Sequence, residues 1–290
     1  MVKFCKTLVF VLIPICSFSQ RSDNDELKKM YEEDQNARKM PKINWVELRN
    51  SDSLRSKRVY ELIDSGRIIT GKDYYHSAMI FQHGRDSVAY RMAVKQIKKA
   101  IELDTTISRW LLAAATDREL MSRDQPQIYG TQYRKKGPNA KWERYKIDTT
   151  QITDNERRFY GVETLAEQKE KEFYMNLASI SEFYQNPNSI EATLKFIRSE
   201  KKKERLAAYD VRESAVNDFG YELLGLKKPQ EALLVFQLNT ELYPLGWNTY
   251  DSLGECLLLL GKKKEGIKAY KKSLQLNPNN KTAQEILKKN

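Results

Sequence analysis

Cysteine and histidine are scarce in this chain of 290 residues, with Cys 3 and His 2. Two of the cysteines, Cys5 and Cys16, lie in the first nineteen residues. If that segment is removed, Cys256 is left without a partner, so an intrachain disulfide is excluded and stability comes from packing. Two histidines restrict any imidazole chemistry to His76 and His83. There is no run of about 20 apolar residues, the length a helix needs to cross a bilayer. The GxSxG, HExxH, GxxxxGK[ST] and GxGxxG patterns are also missing, which removes the commonest hydrolase, metalloprotease, P-loop and dinucleotide signatures. What is present is 31% charged, 40% hydrophobic and 10% aromatic residues. That composition builds and solvates a core and excludes collagenous, low-complexity and disordered classes.

Lys3 and Lys6 precede an apolar run over residues 8–15. Ser17-Phe18-Ser19 then sets small residues at positions −3 and −1 of a cut before Gln20. The pattern is that of a secretory signal peptide over residues 1–19 and predicts a periplasmic or secreted protein. A lipid anchor on Cys16 is the rival, opposed by bulky Ile15 where such signals want a small residue. Removal of the leader lowers the net charge from +11 to +9. The remainder is spread almost evenly along the chain, with the runs 201–203 and 262–264 at helix ends and turns. Spread charge and export argue against a nucleic-acid partner.

The C-terminal part has a period. Phe219-Gly220 matches Leu253-Gly254, Leu223 matches Leu257, Ala232 matches Gly266, Phe236 matches Tyr270 and Pro244 matches Pro278, each pair 34 residues apart. Small glycines let paired helices approach, the aromatics fill the space between units, and the prolines end each second helix. The period and residue types resemble the tetratricopeptide repeat, in which helix pairs stack because one pair cannot bury its apolar face alone. Asn239 and Ser273 depart from the small residue usual near the end of the second helix. Repeats are predicted at 213–246 and 247–280. A degenerate unit is expected at 171–204, its first helix over about 171–184 and an insertion near 203–210, with a capping helix at 281–290.

By resemblance to that family, a groove would be lined by Asn217 and Tyr221 in one unit and Asp251 and Glu255 in the next. Carboxylate clamps in such arrays need Lys, Arg and Asn at these places, whereas two here are acids. A basic or polar extended protein segment is the partner this implies; packing of the array on the N-terminal domain is the alternative.

Residues 20–170 lack the period. Apolar spacing predicts helices around Leu27-Met30-Tyr31, from Trp45 to Gly66, and over 75–83, 87–103 and 107–121. Residues 127–133 and 141–147 read as β-type runs flanking Lys136-Gly137-Pro138-Asn139, a small hairpin at about 126–147. Met30-Tyr31-Glu32-Glu33-Asp34-Gln35 with Arg38, Gln82-His83, Asp117-Arg118, Pro126-Gln127-Ile128-Tyr129-Gly130-Thr131-Gln132 and Arg157-Arg158 before Gly161-Val162 resemble an uncharacterised bacterial family, the domain of unknown function numbered 6624. The resemblance covers residues 25–171. Many relatives carry Ala-Asp after the Gln-His pair, where this chain has Gly84-Arg85-Asp86. The resemblance implies a fold and no reaction.

His83, beside Gln82 at a helix end, is the candidate general acid or base; capping of helix carbonyls is the plainer role. His76 lies seven residues earlier, about 10 Å of helix rise, too far to share a metal ion with it. Asp117 and Arg118 form a charge pair suited to orienting a carboxylate or phosphate, or to tying a helix end to a loop. On a strand, Gln127, Tyr129 and Thr131 would share one face and Ile128, Gly130 and Gln132 the other, so Tyr129 with Gln127 or Thr131 is expected to face a cleft with His83. No metal or cofactor is expected.

The fold expected is mainly α: a helical N-terminal domain with one small β-hairpin, then a short α-solenoid. Two functions follow. One is an exported, envelope-associated scaffold that binds a protein or peptide through the repeats. The other is a periplasmic enzyme, a hydrolase, with His83, Asp117, Arg118 and Tyr129 as its site and the repeats recruiting substrate.

Overall fold

The computed structural model describes residues 22–40, 43–137 and 139–289; the leader expected at 1–19 lies outside them. The protein is mainly α with one short antiparallel hairpin. No helix among the described residues is long and apolar enough to cross a membrane. The chain divides after Lys169 into two compact units.

In the first unit the helices are α1 (Asp25–Ala37), α2 (Trp45–Asp64), α3 (Gly71–Gln82), α4 (Ser87–Leu103) and α5 (Trp110–Ser122). Their starts are chemically marked. The Asn24 side chain accepts from Leu27 N, Thr70 and Asp73 close a capping box, and Asp86 accepts from Ala89 N, satisfying backbone donors that a helix start otherwise leaves orphaned. In α4 the buried apolar positions are Ala89, Ala93, Ile97 and Ala100, a stripe at helical spacing. With Leu27, Val59, Leu62, Ile80 and Phe81 they form the core, each large side chain contributing roughly 2 kcal/mol by burial.

The hairpin is shorter than the alternation implies. Tyr133–Arg134 (β1) pairs with Glu143–Arg144 (β2), and residues 127–132 are not a strand. They wrap around a carboxylate, as described below. Two short helices follow, α6 (Asp154–Phe159) and α7 (Leu165–Tyr174).

In the second unit α8 (Ile180–Gln185) and α9 (Ile190–Lys203) form the first helix pair. The continuous helix expected over 171–184 is broken between Tyr174 and Ile180. Ala178 exchanges backbone hydrogen bonds with the 208–210 segment instead, Ala178 N donating to Ala208 O at 3.0 Å and Asp210 N to Ala178 O at 2.9 Å. Ser179 then caps α8 in a box with Glu182. The pairs α10 (Glu213–Gly225) with α11 (Pro229–Leu242) and α12 (Trp247–Leu259) with α13 (Lys263–Leu276) follow, and α14 (Lys281–Lys289) closes the end.

The glycine expectation has a direct steric basis. A Cβ on Gly220 would lie 2.5 Å from the Phe236 ring, and one on Gly254 would lie 2.8 Å from the Tyr270 ring. The two unusual side chains are hydrogen-bonded where they are buried: Asn239 Nδ2 donates to Glu213 O at 3.1 Å, and Ser273 Oγ accepts from Asn280 Nδ2 at 2.9 Å.

Candidate functional site

Asp117 sits on α5 with no exposed surface. Its Oδ1 accepts from Ile128 N at 2.8 Å and Tyr129 N at 2.9 Å. Its Oδ2 accepts from Gly130 N and Thr131 N, both at 2.9 Å, and from Thr131 Oγ1 at 2.8 Å. Five donors meet a group with about four lone-pair positions, so the carboxylate is saturated by the loop. The carbonyl side of the same loop is held too. Arg157, 1% exposed, donates to Ile128 O and Tyr129 O at 3.3 Å, and Gln168 Nε2 donates to Tyr129 O at 2.7 Å. Gly130 has φ +93°, and a Cβ there would fall 1.9 Å from Gln168 Oε1. Glycine is therefore needed for conformation and for space.

The two glutamines close the ends. Gln127 Oε1 accepts from Gln132 N at 2.9 Å, and Gln127 Nε2 donates to Gln132 O and Tyr145 O. Arg118 extends the network in the other direction, Nη1 donating to Gln82 O at 2.7 Å and Nε to Gln132 Oε1 at 3.2 Å. Burial lowers the Arg118 pKa. The Tyr129 ring packs on Tyr160 at 4.8 Å. Burial, then the hydrogen bond with Tyr160, pushes the Tyr129 hydroxyl well above the usual phenol range.

The structure thus joins Asp117, Gly130 and Thr131 in one knot, and Gln82, Arg118 and Gln132 in a bridge beside it. It does not bring Tyr129 to a cleft with His83. The alternation of 127–132 was a strand signal only locally; five donors turned toward one carboxylate require a curled backbone. The expected Asp117 and Arg118 chemistry gives way to their other reading, helix-to-loop ties, and the enzyme reading keeps only His83.

His83 caps α3 and reaches α1. Its Nδ1 lies 2.8 Å from Asp34 Oδ2. Asp34, 1% exposed, also meets Arg38 Nη1 at 2.8 Å and Arg55 Nη2 at 3.4 Å. Asp52 on α2 takes Arg38 Nη2 at 2.8 Å and Arg55 Nη2 at 2.7 Å. Burial drives the Asp34 pKa up, but the His83 hydrogen bond and the His83, Arg38 and Arg55 charges outweigh it and hold the carboxyl below its ordinary value. His83 lines a cavity of about 470 Å³ with residues of α2 and the start of α4. His76 meets α1 one turn away, stacked on Tyr31 at 4.4 Å, with its buried Nδ1 unpartnered among the described residues. Burial lowers its pKa. In the sequence Asp34 and Arg38 lie inside a motif that by itself assigns them no role. Asp52 and Arg55 carried only an i,i+3 pairing of opposite charges on a predicted helix.

Of the expected groove residues, Tyr221 and Glu255 meet. The Tyr221 hydroxyl donates to Glu255 Oε2 at 2.7 Å and contacts Ser252 Oγ at 3.2 Å. Burial, opposed by Ser252 and reinforced by Glu255, leaves that phenol pushed up to about 12. Asp251 turns to the end of the array, its Oδ1 accepting from Asn280 Nδ2 at 2.5 Å. Burial raises its pKa. Asn217 is buried, with Oδ1 unpartnered among the described residues.

Among solved structures the chain is similar to YrrB, described as a TPR protein with an unusual peptide-binding site, at 14% identity over 80% of this chain and 99% of that one, TM-score 0.28. It is also similar to MamA, at 11% identity over 79% and 90%, TM-score 0.24. No curated protein matches the chain. Residues 247–280, which are α12, α13 and the turn after them, match the family model of the tetratricopeptide repeat. The C-terminal unit therefore carries a tetratricopeptide repeat.

Proposed function

We propose that the chain is an exported scaffold whose helical repeats bind a protein or peptide at the cell envelope. The observation that carries this reading is the Tyr221 to Glu255 pair, 34 residues apart and joined at 2.7 Å. Equivalent positions of consecutive repeats form one continuous polar surface, as an extended ligand crossing both repeats requires. Tyr221 is 37% exposed and Glu255 is exposed, so both remain reachable. Glu255 and half-buried Asp251 give the groove acidic character, which suits a basic or polar extended segment. The leader pattern of residues 1–19 supports binding in the periplasm or outside the cell. The N-terminal unit belongs, by its QH, DR and PQxYGTQ motifs, with the uncharacterised family it resembles.

The test is affinity capture from envelope extract with the full chain and with a Tyr221→Ala, Glu255→Lys variant. Loss of a captured protein from the variant is expected. An identical set of captured proteins from both would overturn the groove reading.

A further inference from the structure

The cavity lined by His83 has charges that the fold does not use. Behind it, Asp34 and Asp52 face Arg38 and Arg55, two acids against two guanidinium groups, at separations from 2.7 to 3.4 Å. That set is closed on itself. Asp86, on the wall, is spent as the cap of α4, accepting from Ala89 N at 2.8 Å. What is left over is positive. Lys57 and Arg85 line the cavity, and among the described residues neither has an ion-pair partner. His83 adds its second ring nitrogen: Asp34 engages Nδ1, while no described residue takes Nε2, and the side chain keeps 18% of its surface exposed. The half-buried Ser56 hydroxyl supplies a further neutral donor on the wall.

Asp34 is a positioning residue. A carboxylate accepting at Nδ1 fixes the neutral imidazole as the Nδ1–H tautomer and leaves Nε2 as the nitrogen open to a ligand. One cation would suffice for a carboxylate. Two unpaired cations and an imidazole match a group with two negative charges and several acceptor oxygens. A volume of about 470 Å³ is that of a small-molecule site.

We propose that this cavity binds the phosphate group of a small phosphate monoester or inorganic phosphate itself, with Lys57 and Arg85 holding the oxyanion and His83 Nε2 as its imidazole contact.

The chain's two histidines make the test direct. Two-bond 1H–15N spectra of the full-length protein show both imidazoles, assigned with His76→Phe. Inorganic phosphate is expected to shift the His83 signals saturably and leave His76 unmoved, with sodium acetate at matched ionic strength producing little change. Glucose 6-phosphate in place of inorganic phosphate separates the two sources: tighter binding assigns the monoester, and equal binding assigns free phosphate. Lys57→Ala with Arg85→Ala, both exposed, should weaken binding by about tenfold or more, with the unchanged His76 signals reporting an intact fold. In alkaline buffer the 15N shifts of wild-type His83 should be those of the Nδ1–H tautomer. An unmoved His83 signal, an equal response to acetate, unchanged affinity in the double variant, or an Nε2–H tautomer would each overturn the proposal.

Discussion

His83 Nδ1 and Asp34 Oδ2 lie 2.8 Å apart across 49 residues of chain, joining the end of α3 to the last turn of α1. Asp34 is almost fully buried and shares Arg38 and Arg55 with Asp52. Desolvating these charges is costly, and removing one partner leaves the others buried without compensation.

Asp34→Asn is therefore expected to destabilise the protein by about 3 kcal/mol near neutral pH. The pH dependence has a definite sign. The Asp34 pKa is lower in the folded state than the ordinary 3.8, so its stabilisation is fully present above that value and is lost as pH falls through the folded one. Urea unfolding of wild type and variant should converge in acid below about pH 4. A gap that stayed constant there would assign the loss to packing and not to ionisation.

The saturated carboxylate at Asp117 makes a second prediction. Asparagine keeps the shape but has one acceptor oxygen for five donors, and its own amide hydrogens face backbone N–H groups. Two or more buried donors lose a partner at about 1–3 kcal/mol each, so Asp117→Asn should cost about 3 kcal/mol in urea unfolding. Limited proteolysis should open the chain at residues 128–131. The His83 response to phosphate should not change. A variant within about 0.5 kcal/mol of wild type would mean that the loop does not depend on the charge.

The repeat glycines give a third. Gly254→Ala places a methyl 2.8 Å from the Tyr270 ring. Overpacking costs about 1–3 kcal/mol, against a helix-propensity gain of about 1 kcal/mol, so a net loss of about 1 kcal/mol is expected. Gly225→Ala, at the end of α10 with nothing within 4 Å of the added methyl, should be neutral or stabilising by up to about 1 kcal/mol. Thermal unfolding of the two variants side by side checks this; equal effects would show that backbone propensity decides and the aromatic contact does not.

The sequence by itself determined what is local or periodic. The 34-residue spacing placed α10 to α13 because stacked helix pairs repeat the same contacts, Gly220 against Phe236 and Gly254 against Tyr270. The five N-terminal helices were legible because their buried stripes recur every three or four residues and polar caps mark several starts. Only the tertiary structure decided what depends on distant partners. Residues 127–132 alternate like a strand, yet Asp117, ten or more positions earlier, gathers their N–H groups into a loop. Residues 171–184 read as one helix, yet the backbone of Ala178 pairs with the 208–210 segment and breaks it. His83 was picked out by composition, but its partner Asp34 was not, because the contact joins residues 49 apart. Such a pairing is set by how α1, α2 and α3 pack, and local pattern does not encode it.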